Sequence, residues 1–178
     1  CYDLTGIRLG QTNRQWSANL YITNFEHPIT RNLPTTTVWG TDMRLGPLFT
    51  VADPEATVLG TVVINQGRCE PGFVLKQEAD WASFYSAAPN LPPGLLREVA
   101  RYAGVHIYTE HDDVLYADRG YLALHTVRGE TKTVRLPHPA DVWEVFSNRQ
   151  VAAGSAEFRD RMEAGGTNLS YCGMGPRP

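Results

Sequence analysis

Residues 81–108, WASFYSAAPNLPPGLLREVARYAGVHIY, carry the clearest structural pattern in this chain. Pro92 and Pro93 suit the first turn of a helix, where a missing backbone N–H costs nothing. The apolar residues that follow recur at helical spacing, and Gly104 is placed as the C-terminal cap. The predicted apolar face consists of Leu95, Leu96, Val99, Ala100 and Ala103. An aromatic strand before this helix and an apolar strand at 105–108 after it predict a βαβ-like unit.

The residues before this unit contain several runs typical of strands. β-branched and aromatic residues, interrupted by glycine and proline, predict strands at 20–22, 35–39, 48–51, 56–65 and 72–76. Together with the βαβ-like unit, these runs predict that residues 1–110 form part of a mixed α/β domain.

The residues after this unit have a different pattern. Short apolar runs separated by turn residues predict strands at 114–117, 121–125, 131–136, 142–146, 156–162 and 168–172. Such spacing is typical of an antiparallel sandwich, so residues 111–178 are predicted to form a small β-sandwich. The expected fold class is therefore α/β followed by all-β.

Composition excludes several functional classes. The chain has 178 residues, of which 42% are hydrophobic and 20% charged, as expected for a soluble globular protein. A net charge of −3 gives no basic face for nucleic acid, and no apolar run approaches the roughly 20 residues of a membrane span. Because the first residue is Cys1, we expect a processed chain or a piece of a longer one. Composition does not distinguish a cytoplasmic from a secreted protein.

Neither the cysteine spacing nor a search for common catalytic motifs predicts a catalytic or cofactor site. Cys1, Cys69 and Cys172 match no zinc or redox spacing. A Cys69–Cys172 disulfide in an oxidising compartment and three free thiols are both compatible with the sequence. Nucleophile-elbow, zinc-protease, P-loop and dinucleotide motifs do not occur, so no cofactor is expected.

A cluster of histidine and acidic residues at 106–113, HIYTEHDD, is the candidate metal site. Its candidate ligands are His106, Glu110 and His111. On a strand, His106 and Glu110 would share a face while His111 would point the other way. This alternation favours the second interpretation, a strand end that runs into an acidic turn.

Aromatic residues suggest a second kind of site. Trp39, Trp81, Tyr85 and Trp143 are candidates for stacking on sugar rings, because aromatic side chains combine an apolar face with a polar edge. Trp81 and Tyr85 would share a face of one strand. The alternative is that these side chains fill the core, where large aromatic residues are usually buried.

Nearly the whole chain resembles a known family. The strings LTGI at 4–7, NFEHPITRNLP at 24–34, LGPLF at 45–49, DPEATVLG at 53–60, PGFVLK at 71–76 and the stretch 81–108 resemble the late part of a glutamine-amidotransferase-like domain. That domain is the flavodoxin-like trimerisation domain of family 42 β-galactosidases. DDVLYADRGYLALHT at 112–126 and TKTVRLPHPADVWEVF at 131–146 are similar to the small β-sandwich that follows it.

This resemblance implies a partial flavodoxin-like domain of the class I glutamine-amidotransferase type, and an accessory role. In that family the two catalytic glutamates lie on an N-terminal TIM barrel, to which nothing in this sequence corresponds. The amidotransferase-like domain has also lost its Cys-His-Glu machinery, so Cys1 is not expected to be a nucleophile. The implied partners are an upstream TIM-barrel domain of the same parent protein, or a partner chain, with a homo-oligomer also possible.

Three functional hypotheses follow from the sequence. The first is a non-catalytic accessory region of a glycoside-hydrolase-like protein, serving oligomerisation or domain packing. The second is a carbohydrate-binding module that uses the four aromatic residues. The third is a small stand-alone hydrolase or metalloenzyme that uses the histidine cluster.

Overall fold

The computed structural model describes residues 2–13, 15–64 and 67–173. The chain divides into an N-terminal unit, Cys1–Tyr102, and a C-terminal unit, Ala103–Pro178. The helices are α1 (Tyr2–Thr5) and α2 (Pro93–Tyr102). The strands are β1 (Leu9–Thr12), β2 (Trp16–Ile22), β3 (Val38–Leu45), β4 (Leu48–Val51), β5 (Thr57–Ile64), β6 (Arg68–Gln77), β7 (Ala82–Ser86), β8 (Val114–Asp118), β9 (Tyr121–His125), β10 (Glu130–Glu144), β11 (Arg149–Met162) and β12 (Thr167–Gly173).

A five-stranded antiparallel sheet, in the order β3-β2-β5-β6-β7, is the framework of the N-terminal unit. Strand β2 illustrates how the sequence forms it. Ala18, Leu20 and Ile22 are buried, whereas Asn19 and Tyr21 between them lie on the opposite face. This two-residue period buries one side of the strand and leaves the other side more exposed.

Helix α2 covers one face of this sheet. Leu95 is fully buried there, and Tyr102 contacts Phe84 edge-on with ring centroids 5.9 Å apart. The core on this face consists of Ala18, Leu20, Ile22, Ile29, Trp39, Leu48, Leu59, Val62, Ile64, Phe73, Leu75, Ala88 and Leu95. Gly104 follows the helix with φ of +73°, as a left-handed C-terminal cap requires. The predicted helix and its cap are therefore confirmed.

A two-stranded antiparallel ribbon, β1 with β4, covers the other face. Ile7 and Val51 pack there against Val74, which lies between Phe73 and Leu75 and points the opposite way. Tyr85, the cross-strand partner of Val74, packs against the same cluster. Both faces of the N-terminal sheet are thus covered.

The predicted α/β, flavodoxin-like fold is wrong. Residues 105–108 form no strand, and β7 pairs antiparallel with β6, so α2 is not the crossover of a βαβ unit. A parallel sheet needs a crossover connection for each pair of neighbouring strands. Among the described residues, α2 is the one helix of more than a single turn, and all strand pairs are antiparallel.

The predicted apolar face of α2 is also partly wrong. Leu96 is 51% exposed, whereas Glu98 is buried. The carboxylate of Glu98 accepts a hydrogen bond from Asn32 Nδ2 at 3.3 Å and is paired with Arg101. Because its charge is satisfied in this way, an acidic side chain can occupy a position that periodicity would assign to an apolar residue.

A second five-stranded antiparallel sheet, in the order β11-β10-β12-β9-β8, forms the C-terminal unit. Its core consists of Leu122, Leu124, Val134, Leu136, Val142, Phe158 and Met162. The pairing of β10 with β11 changes register between Arg135 and Ala140, where Pro137 and Pro139 lie. Prolines cannot donate to a strand ladder and occur at such irregularities.

The predicted β-sandwich is wrong as well. The predicted strand at 131–136 and residues 142–144 of the next one belong to one 15-residue strand, β10, which continues through the two prolines. Glu130–Glu144 therefore forms part of one irregular sheet, and the described part of the C-terminal unit contains no second sheet to stack on it. The turn signal of two prolines marks an irregularity within a strand instead of its end. No helix in the described ranges is long and apolar enough to cross a membrane.

Candidate functional site

The four aromatic residues predicted to bind sugar do not form one surface. Trp39 is only 4% exposed and lies in the core of the N-terminal unit, where its ring meets Phe73 edge-on at 5.4 Å. Its Nε1 donates a hydrogen bond to Ser86 Oγ at 3.1 Å. A buried indole with a satisfied N–H has a structural role.

Tyr85 and Trp81 lie on the N-terminal unit in different environments. The Tyr85 hydroxyl donates a hydrogen bond to the carbonyl of Phe49 at 2.8 Å, and burial raises the pKa of this hydroxyl. Trp81 precedes β7 and is 43% exposed. Trp143 is half-buried and belongs to the C-terminal unit. Of the four, Trp81 is exposed, Tyr85 and Trp143 are partly buried, and Trp39 is buried.

Trp143 is the centre of a feature that the sequence analysis missed. It lies directly opposite Tyr171 on β12, which in turn lies opposite Tyr121 on β9. The same cross-strand line ends in Gln150 on β11 and Asp118 on β8. We call Trp143, Tyr171 and Tyr121 the aromatic row. Direct cross-strand partners share one face of a sheet, so these three side chains lie on the same face of three neighbouring strands.

The aromatic row lies on the face opposite the core. Leu122 and Val142, the chain neighbours of Tyr121 and Trp143, are buried in the core, and successive residues of a strand point to opposite faces. Tyr121 is 46% exposed. The rings of Tyr121 and Tyr171 have centroids 5.4 Å apart and are tilted by 56°. The alternation of side chains puts each of these residues on the outer face of its own strand, but only the register brings the three together.

A glycine sets the position of the middle ring. A Cβ atom built on Gly173 would come within 2.3 Å of the Tyr171 hydroxyl oxygen and 2.5 Å of its Cζ. The ring of Tyr171 therefore occupies the space that a side chain at position 173 would fill. Gly120 lies near the other edge of the same ring, since its Cβ would be 3.6 Å from Cε2.

A cavity of about 450 Å³ adjoins the aromatic row. Tyr121, Gly120 and Gly173 are among the residues that line it. Its other walls are the β8–β9 turn, the irregular part of β10 and core side chains, namely Tyr108, Ala117, Asp118, Arg119, Leu122, Leu136, Pro137, His138, Pro139, Ala140 and Cys172. Burial raises the pKa of the Cys172 thiol, which is free and neutral in this wall.

The three candidate metal ligands have other partners. His106 Nε2 is 2.9 Å from the carbonyl oxygen of Arg135, and a carboxylate oxygen of Glu110 is 3.8 Å from the Arg135 guanidinium. His111 Nδ1 is 3.2 Å from a carboxylate oxygen of Glu130. Within the described residues, no group of three or more His, Cys, Asp or Glu side chains is arranged to hold a metal ion.

A lysine supplies the positive charge at this acidic turn. The ammonium of Lys132 is 2.7 Å from Asp113 Oδ2 and 2.8 Å from Glu130 Oε1, and its side chain is 2% exposed. Desolvation opposes ionisation of Asp113, but Lys132 and the N–H of Val127 outweigh it and lower its pKa. The buried ammonium thus neutralises carboxylates that would otherwise attract a cation.

The N-terminal unit contains a matching ion pair. Lys76 Nζ lies 3.0 Å from Asp53 Oδ2 and donates a hydrogen bond to the carbonyl of Gly6 at 2.8 Å. Hydrogen bonds from the Arg8 N–H and from Lys76 lower the pKa of Asp53 to about 2. This pair ties β6 to the segments on either side of the β1–β4 ribbon.

A third buried carboxylate ends strand β10. Glu144 accepts hydrogen bonds from the hydroxyl and N–H of Ser147 at 2.5 and 2.6 Å and from the N–H of Phe146 at 3.1 Å. Burial raises the pKa of Glu144, but these hydrogen bonds more than offset it, and the net shift is downward. Such a carboxylate stabilises a turn as an anion.

The fold is similar to part of known β-galactosidases. The β-galactosidase from Bacillus circulans sp. alkalophilus superposes with a TM-score of 0.56 at 14% sequence identity, over 96% of this chain and 25% of that protein. Gan42B, a GH42 β-galactosidase from G. stearothermophilus, superposes with a TM-score of 0.50 at 10% identity, over 92% of this chain and 23% of that protein. No protein-family model and no curated protein matches the sequence.

These similarities concern the fold alone, because the identities are low. The chain spans about a quarter of the length of the β-galactosidases that it matches. The resemblance to β-galactosidase-like glycoside hydrolases is thus supported at the level of structure.

Proposed function

We propose that this chain is a non-catalytic accessory region of a β-galactosidase-like glycoside hydrolase. The observation that carries the proposal is the structural match, which includes almost all of this chain but only about a quarter of the enzyme. Catalysis in the parent protein would reside in the remaining three quarters. The role of this region would be packing against a neighbouring domain of that protein or against a partner chain.

The carboxylates of the chain support a non-catalytic role. Glycoside hydrolysis uses two carboxyl groups across the scissile bond, one of which has a raised pKa and acts as an acid. The shifted carboxyl groups here, Asp53, Asp113, Glu130 and Glu144, all have lowered pKa values, with hydrogen bonds or lysine as the cause. They are therefore suited to structural ion pairs and turns and not to proton donation.

Exposed apolar side chains support a packing role. Leu4 is 84% exposed and Met43 is 70% exposed on the N-terminal unit. Tyr2, Tyr21 and Val38 of the same unit are also exposed. Exposed apolar groups of this kind are common at surfaces that pack against another domain or chain.

An activity measurement tests the proposal. The purified chain is incubated with a chromogenic β-galactoside, and no turnover above buffer is expected. Turnover that copurifies with the chain and disappears in a carboxylate variant would contradict the proposal. The intact mass of the polypeptide in its source gives a second test, because an accessory region predicts a mass well above that of 178 residues.

Sedimentation then distinguishes oligomerisation of this region from packing against a neighbouring domain of the parent protein. If the region serves oligomerisation, the isolated chain is expected to self-associate, and Met43→Asp to weaken that association. A chain that stays monomeric at all concentrations would assign its apolar surface to a neighbouring domain of the parent protein instead.

A further inference from the structure

We propose that the C-terminal unit binds a neutral oligosaccharide, with sugar rings stacked along the aromatic row. This goes beyond the accessory role above, and it stands on the geometry of Trp143, Tyr171 and Tyr121. The binding surface is distinct from the one expected from sequence, since it shares Trp143 alone with those four aromatic residues.

The aromatic row has the chemistry that a sugar chain requires. Pyranose rings present apolar C–H faces and polar hydroxyl edges, and the aromatic ring with its polar edge complements both. Three such rings on adjacent strands form an elongated surface instead of a single contact. At its two ends, the amide of Gln150 and the carboxylate of Asp118 are placed to hydrogen-bond hydroxyl groups.

The row is presented on the outer face of the sheet. Tyr121 retains 46% of its surface, and Tyr116 on the next strand retains 72%. Tyr116 lies opposite Ala123, which is two residues from Tyr121 on the same face. The small side chain of Ala123 leaves room between these rings, so the outer face offers aromatic surface beyond the row itself.

Charge favours a neutral ligand. In the described part of the chain, the cross-strand line of the aromatic row carries no positive charge, and Asp118 at one of its ends is acidic. The whole chain carries a net charge of −3. A nucleic acid or another polyanion would need a basic surface, which the described residues of the row do not provide.

Calorimetry on the full chain tests the proposal. The probes are a β-1,4-linked galactotetraose, a β-1,4-linked glucotetraose and an α-1,4-linked glucotetraose. We expect measurable binding of at least one of these. Removing a stacked ring by Tyr121→Ala or Trp143→Ala is expected to weaken binding about tenfold or more.

Two further variants test whether a loss of oligosaccharide affinity comes from the aromatic row. Trp81→Ala removes an exposed tryptophan from the N-terminal unit and is expected to leave affinity unchanged. Gly173→Ala keeps all three aromatic residues but places a Cβ where the Tyr171 ring lies. It is therefore expected to displace this ring and weaken binding while the circular dichroism spectrum stays unchanged.

Several results would overturn the proposal. One is the absence of heat with all three tetrasaccharides at millimolar concentration. A second is an equal loss of affinity in Trp81→Ala and Tyr121→Ala. A third is self-association of the chain that Tyr121→Ala abolishes, which would assign the row to contact with a second copy. In each case the accessory role would remain to be judged by its own activity measurement.

Discussion

The two units of this protein use the same framework and differ in what covers it. Each is a five-stranded antiparallel sheet that contains a buried lysine–aspartate ion pair, Lys76–Asp53 in one and Lys132–Asp113 in the other. In the N-terminal unit, helix α2 covers one face and the β1–β4 ribbon covers the other. In the C-terminal unit, the core lies on one face and the aromatic row on the other.

This difference is the basis of the binding surface proposed above. A sheet covered on both faces uses its apolar residues for stability, as Trp39 does in the N-terminal unit. A sheet with one open face can keep aromatic residues there without losing its core. The following predictions test this contrast, beginning with the largest expected effect.

Lys132→Met should have the largest effect, because it leaves Asp113 as a buried carboxylate without its cation. Removing one partner of a buried ion pair costs about 3–5 kcal/mol in free energy of unfolding. Hydrogen exchange in β10 should report this loss in the C-terminal unit. Lys76→Met should destabilise the N-terminal unit in the same direction, as seen in β5 and β6.

A double variant provides the control for this prediction. Lys132→Met with Asp113→Leu removes both charges and should recover much of the lost stability. If the single Lys132→Met variant is as stable as the unmodified chain, the ion pair does not stabilise the C-terminal unit and the comparison between the units fails.

Leu95→Ala should come next, since it opens a cavity between α2 and the N-terminal sheet. The expected loss in free energy of unfolding is about 2–5 kcal/mol, as for other buried leucines. Leu96→Ala is the matched control on the same helix, and at 51% exposure it should change stability by less than about 0.5 kcal/mol. If chemical denaturation gave equal losses of free energy of unfolding for the two variants, α2 would not pack on the sheet through Leu95 as described.

Tyr121→Ala should have a smaller effect on stability, because its ring lies on the open face. Loss of a cross-strand aromatic pair is expected to cost about 0.2–1 kcal/mol. Leu122→Ala, at the next position of β9 but on the core face, should cost about 2–5 kcal/mol. Thermal or chemical denaturation in which Tyr121→Ala is the more damaging variant would place the aromatic row in the core.

Acidification should have the smallest effect on stability under ordinary conditions, because Asp53 is protonated only far below neutral pH. Asp53 has a pKa of about 2 in the folded protein against an ordinary value of 3.8. A carboxyl group with a lowered folded pKa stabilises the protein above its ordinary pKa and loses this contribution as pH falls through the folded value. The contribution of Asp53 to the free energy of unfolding of the N-terminal unit should therefore stay constant down to about pH 4. It should fall between about pH 4 and 2.

The double variant Asp53→Asn/Lys76→Met is the control for acidification. It lacks the titrating pair, so its free energy of unfolding in β5 and β6 should depend less steeply on pH in this window. Identical pH profiles for the variant and the unmodified chain would contradict the assignment of this pair.

Local elements were predictable where the signal lies within a few residues. Proline at the start, helical spacing and Gly104 at the end were sufficient for α2. Runs of β-branched and aromatic residues likewise located strands such as β4 and β9. The assumption that failed was connectivity, since one helix beside a strand suggested a parallel unit that does not form.

Binding surfaces were less predictable, because they depend on register. Trp143, Tyr171 and Tyr121 are far apart in sequence, and nothing in their spacing relates β9, β12 and β10. Glu98 gives a similar example in the core, since its burial depends on Asn32, 66 positions earlier in the chain.

The amino-acid pattern thus fixed the kinds of elements in this protein, the alternation of faces along each strand and the cap of its helix, all of which follow from forces between near neighbours. Strand order, the covering of each sheet, the burial of Lys76 and Lys132 and the aromatic row arose from contacts between distant segments. Such contacts form because apolar faces and buried charges must find partners across the fold.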